Sequence, residues 1–201
     1  MKSVLISIKP KWCELIANGK KTIEVRKTRP KIATPFKCYI YCTKPKMPVR
    51  DNGSILMFED DLAITNRFEQ GKRVENPCGA MMEGELFLNG KVIGEFVCDN
   101  IDTYDDDTIF TFRYEDYAKW NDFNLDRACI HPEDFQNYAN GKWLYGWHIS
   151  DLVIYDKPKE LSGFRKPIIC HRGIQKDNCN GCWDCEIKRP PQSWCYTEIL
   201  N

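Results

Sequence analysis

The chain has 201 residues, 42% hydrophobic and 12% aromatic, which supports a real core and excludes a disordered chain. No apolar run approaches the roughly 20 residues needed to span a bilayer, so a membrane-spanning helix is excluded. The formal net charge is zero, but it is unevenly spread: 13 basic against 2 acidic residues in 1–50, 7 against 20 in 51–140, and 9 against 7 thereafter.

Charge separated in this way offers phosphate a basic surface, unless the opposed blocks lie side by side and neutralise each other. The apolar start Val4–Ile8 is too short for a secretory leader, and no small-residue cleavage site follows it. With eleven cysteines, an odd number, a disulfide framework is disfavoured and a cytoplasmic, reducing location is expected.

Val4–Ile8 reads as a buried strand. Pro10 then opens a short helix that Gly19 closes, with Trp12, Leu15 and Ile16 on its apolar face. In Thr22–Arg26 the residues alternate, with Ile23 and Val25 on one side and Thr22, Glu24 and Arg26 on the other. Cys38–Cys42 is a further strand. Residues 44–84 are broken by prolines and glycines and read as an insertion of loops, with or without a hairpin. Asn89-Gly90 between Glu85–Leu88 and Lys91–Val97 is the strongest hairpin signal. A second short helix runs from Pro132 to Tyr138 and ends at Asn140-Gly141. Trp143, Tyr145, Trp147 and Ile149 then alternate along a strand, and Leu152–Tyr155 follows. Five or more strands with two short helices give an α+β fold built on an open or closed barrel. Cys13, Cys38, Cys42, Cys78, Cys98 and Cys129 read as small core residues.

Lys21, Glu24 and Arg26 form the candidate catalytic set. Lys21 follows the Gly19 turn, and Glu24 and Arg26 share a strand face about 7 Å apart. A carboxylate between two cations can activate water while the cations hold an anion, or the pair can be an ordinary strand ion pair. Lys9, Lys20, Lys21 and Arg26 could line a ligand rim, with Tyr145 and Trp147 either stacking a base or filling the core. His148 faces away from these aromatics and has no visible partner. In the tail, Cys179, Cys182 and Cys185 stand at overlapping C-x-x-C spacing, with Cys170 or Cys195 to complete a tetrahedral zinc site and His171 as a further donor. An iron–sulfur run would place its next cysteine where Arg189 stands. Trp194 and Tyr196 are expected to dock this tail on the barrel.

The segments Ile6–Pro10 and Gly19–Lys27 resemble the N-terminal signature of the ASCH family, a strand and helix followed by a Gly-x-Lys-x-x-Glu-x-Arg turn and strand. Val92–Phe96 and Leu144–Ile149 also resemble strands of that family. The resemblance covers about residues 3–160. It implies a PUA-like β-barrel, placed at 1–165 with the poorly matched stretch of about 44–84 as an insertion, which leaves the Cys-rich residues 166–201 as a C-terminal extension packed on it. It also implies RNA, a nucleotide or a nucleoside as partner, bound in a basic cleft. Some small family members remove the acetyl group of 4-acetylcytidine, and at least one is a ribonuclease. Their reactive Lys aligns with Lys21, whereas a Thr occupies the position of Glu24 in the amidohydrolases. Three functions stay open: RNA or nucleoside binding, hydrolysis in the same cleft, and a metal-stabilised module that contacts a partner protein.

Overall fold

The computed structural model describes residues 3–44, 68–69, 72–73, 89–105, 125–167 and 185–199. Strand β1 (Ser3–Ile8) is buried along its whole length. Val4, Ile6 and Ile8 enter one apolar cluster, and Leu5 enters another on the opposite face. A strand covered on both faces requires such an unbroken apolar run. Helix α1 (Pro10–Ala17) begins with proline at its first turn and buries Cys13 and Ile16. It ends where Gly19 takes φ +69°, a conformation that costs glycine least. Strands β2 (Ile23–Arg26) and β3 (Phe36–Cys42) follow. Because α1 and β2 intervene, β3 returns to lie parallel to β1.

Strands β4 (Phe68–Glu69) and β5 (Lys72–Arg73) pair as a minimal hairpin within the 44–84 stretch. Beyond it come β6 (Val92–Cys98), β7 (Ile101–Tyr104), helices α2 (Leu125–Ala128) and α3 (Pro132–Ala139), β8 (Leu144–His148), β9 (Ser150–Lys159), β10 (Phe164–Arg165) and β11 (Trp194–Ile199). The expected turn at Asn89-Gly90 is present, with Gly90 at φ +82° and its N–H donating to the Cys42 carbonyl at 2.7 Å. The 85–88 arm of that hairpin lies outside the described residues.

The main sheet runs β10-β11-β1-β3-β6-β9, and a second sheet runs β2-β8-β7. Between them lies the principal core, where Ile6, Ile8, Ile40, Ile93 and Phe96 pack with Trp147 of β8. The other face of the small sheet is covered by α2 and α3. There Leu125, Ala128, Phe135 and Ala139 meet Ile23, Val25, Tyr104 and Leu144. On the outer face of the main sheet, Tyr39, Tyr41, Val92, Phe164 and Ile187 form a third layer. Close approach sets one position in β6: a Cβ on Gly94 would lie 2.5 Å from the Val153 carbonyl oxygen of β9.

The last segment goes further than docking. Residues 194–199 enter the main sheet as β11, antiparallel to β1 with Leu5 opposite Cys195. This end of the expected extension is therefore part of the sheet, and its aromatic side chains reach the principal core.

Candidate functional site

The sequence places Glu24 and Arg26 on the face of β2 that looks toward the main sheet, and β2 pairs with β8 so that Glu24 is opposite Trp147 and Arg26 opposite Tyr145. Lys21, Glu24 and Arg26 do converge, but in the interior: they are 1%, 5% and 9% exposed. One Glu24 oxygen lies 3.4 Å from Lys21 Nζ, and the other lies 3.0 Å from Arg26 Nη2. Lys21 Nζ also donates to the Ala128 carbonyl at 2.6 Å and sits 4.8 Å from the Trp12 ring centre. Arg26 Nη2 donates to the Ser7 carbonyl at 2.6 Å. Burial holds Lys21 below its ordinary value of 10.5, against the opposing pull of Glu24. Arg26 Nε and Trp147 Nε1 are buried donors without a hydrogen-bond partner among the described residues.

Beside this network an open cavity of about 610 Å³ lies against the loop that leaves β2, lined by Lys27, Thr28, Arg29, Pro30, Lys31 and Tyr145, among others. Lys27, Arg29 and Lys31 are exposed. The Arg29 guanidinium lies 5.7 Å from the Tyr145 ring centre, and Lys27 Nζ lies 4.9 Å from that of Tyr138. Tyr138, at the end of α3, is 39% exposed and electrostatically within reach of Arg26 and Glu24, although burial is the main cause of its raised hydroxyl pKa. Cations held over aromatic rings beside open space can meet both the phosphate and the base of a nucleotide.

Of the anticipated ligand residues, Tyr145 lines this cavity. Trp147 does not: it is fully buried, 5.8 Å from both Phe36 and Trp194, so of the two roles open to it from the sequence it fills the core. Lys9 and Lys20 are exposed at the two ends of α1, and neither lines the cavity. His148, expected to lack a partner, has one: its Nε2 lies 2.7 Å from an Asp102 oxygen. The cations that do line the cavity were legible as the run Lys27-Thr28-Arg29-Pro30-Lys31 directly after β2, a signal that strand alternation passes over.

Among the zinc candidates, Cys170, Cys179, Cys182 and the alternative donor His171 lie outside the described residues. Cys185 is buried, and its carbonyl accepts from the Lys166 N–H at 2.8 Å. Cys195 packs against the outer layer around Leu5, and burial raises its thiol pKa. Among the described residues, no three His, Cys, Asp or Glu side chains are placed to hold a metal. Cys13, Cys38, Cys42 and Cys98 are buried as expected and Cys129 is half-buried, while Cys78 lies outside the described residues.

The model of the ASCH domain family matches residues 6–137. No curated protein matches the chain by sequence. Among solved structures, a Ser-to-Ala mutant of an ASCH protein from Zymomonas mobilis is similar over 99% of this chain and 88% of its own, with 18% identity and a TM-score of 0.50. The unmutated protein from the same organism is also 18% identical, over 99% of this chain and 87% of its own, with a TM-score of 0.46. At that identity the likeness concerns the fold: a curled half-barrel sheet with few short helices, matching the PUA-like architecture of ASCH domains.

Glu24→Gln removes the charge shared by two buried cations and should cost about 3–5 kcal/mol, because each cation is left uncompensated. Urea denaturation of parent and variant measures this, and equal midpoints would contradict it. A pH effect follows from Lys21. Since its folded value lies below 10.5, the unfolded chain holds that proton over an interval in which the folded chain has released it. The contribution of Lys21 to stability therefore rises with pH through the interval below 10.5. The gap between parent and Lys21→Met should widen with pH there, and a constant gap would contradict the sign.

Proposed function

The chain belongs to the ASCH domain family, and from that premise we propose that it binds single-stranded RNA, or a nucleotide of the same chemistry, in the basic cavity beside Tyr145. ASCH domains are generally related to RNA binding. The observation that carries the proposal is the arrangement of Lys27, Arg29 and Lys31 around an open space with Tyr145 as one wall. Its volume of about 610 Å³ falls in the range of small-ligand sites. Phosphates would meet the three cations, and a base would stack on Tyr145 in competition with, or sandwiched by, the Arg29 guanidinium. No base-edge reader is assigned, so this mode favours single strands over a particular sequence.

Binding is favoured over hydrolysis by exposure. The groups with the chemistry for hydrolysis, Lys21 and Glu24, are sealed and committed to each other, whereas the cations of the loop face solvent. A hydrolase using Lys21 would have to break its bond to the Ala128 carbonyl before a substrate reached it.

The test is fluorescence anisotropy with a labelled poly-uridylate over a range of salt concentrations. Replacing Lys27, Arg29 and Lys31 together by Ala should weaken binding and lower the salt slope by about 2, at about 0.7 per lost contact to a single strand. Unchanged affinity and slope in a folded triple variant would place the site elsewhere. Shortening of the RNA during the assay would instead favour the hydrolytic reading.

A further inference from the structure

The loop that lines the cavity has no regular structure of its own, yet two side chains of β11 grip it. Trp194 Nε1 donates to the Thr28 hydroxyl at 2.9 Å, and the Lys31 N–H donates to the Tyr196 hydroxyl at 2.8 Å. These two bonds bracket Arg29 and Pro30. They come from one face of the strand, since residues two apart on a strand point the same way. Cys195, between them, packs in the outer layer on the other face.

The grip is anchored in the interior. Trp194 lies 5.8 Å from the buried Trp147 and 5.5 Å from Tyr196, so the three rings form a continuous aromatic row from the core to the loop. The approach to β11 is fixed to β1 as well: Ser7 N–H donates to the Ser193 carbonyl at 2.9 Å, and the Ser7 hydroxyl donates to the Pro191 carbonyl at 2.6 Å. The carbonyl of the same Ser7 accepts from Arg26, at the end of β2 where the loop starts. The start of the loop and the strand that grips it are thus referred to one point on β1.

We infer that β11 is part of the ligand site, with Trp194 and Tyr196 as positioning residues that hold the 28–31 backbone so that Arg29 and Lys31 present their charges to the cavity before the ligand arrives. The inference rests on the cavity being the RNA site. A loop ordered in advance does not have to be ordered by the ligand, so the bonds act on affinity. Both bonds end on exposed loop residues, Thr28 and Lys31. The segment falls outside residues 6–137, so the family match does not describe this device.

The experiment measures binding of labelled poly-uridylate to the full chain carrying Trp194→Phe or Tyr196→Phe, with thermal midpoints recorded alongside. Tyr196→Phe keeps its ring and loses only the hydrogen bond, so it should weaken binding about three- to tenfold at a nearly unchanged midpoint; Trp194→Phe loses its bond together with part of the indole, so its binding is read against Thr28→Ala, which removes the same bond and leaves the indole in place. Trp194→Phe and Thr28→Ala remove the same bond, so the double variant should bind no more weakly than the weaker single. Parent-like binding by both ring variants overturns the inference while leaving the binding reading in place. Weakening that is additive in the Trp194–Thr28 pair and tracks a fall in midpoint also overturns it, because the effect is then structural. A parent that does not bind RNA removes the underlying reading, and this inference with it.

Discussion

One buried carboxylate organises the polar contacts of the small sheet with its neighbours. Glu24 lies between Lys21 and Arg26, and each cation reaches past it to a different element: Lys21 to the carbonyl of Ala128 at the end of α2, and Arg26 to the carbonyl of Ser7 in β1. Buried ion pairs add little net stability once desolvation is counted, and their clearer effect is to penalise arrangements that leave a charge unpaired. Here that penalty fixes register. A slip of β2 by one residue would drive Glu24 and Arg26 into the apolar layer of Tyr104, Phe135 and Leu144, and would turn Ile23 and Val25 out of it.

The position of the cavity follows from that register. With Arg26 opposite Tyr145, the loop leaving β2 starts beside the one half-exposed aromatic of β8, and its first residue, Lys27, reaches the ring of Tyr138. The network that shapes the site is sealed, whereas the groups that meet solvent come from the loop after it. Arg26 Nε and Trp147 Nε1, both buried and without a partner among the described residues, mark where the described packing falls short of full hydrogen-bond satisfaction.

Much of the scaffold was readable from periodicity. Pro10 and Gly19 delimit α1 within two residues, the alternation in 22–26 separates the two faces of β2, and Pro132 with Asn140-Gly141 frames α3. The local pattern could not rank solvent exposure. Lys21 and Arg26 carry full charge and read as rim residues, and only the tertiary pairing around Glu24 shows that they are buried. Trp147 and Tyr145 look alike in an alternating strand, yet one fills the space between two sheets and the other borders solvent. Strand β11 was hidden for a related reason. Its pairing with β1 spans nearly the whole chain, and a cysteine-rich, proline-containing tail draws attention to metal chemistry before sheet formation.

Long-wavelength ultraviolet cross-linking of a 4-thiouridine-substituted RNA to the full chain, followed by peptide mass spectrometry, tests most directly whether the cavity beside Tyr145 receives the nucleic acid. The account predicts adducts concentrated in the peptides carrying residues 27–33 and 138–145, suppressed by excess unlabelled RNA and by added salt. Competed adducts confined to peptides far from these two segments, with the loop and Tyr145 unmodified, would contradict it.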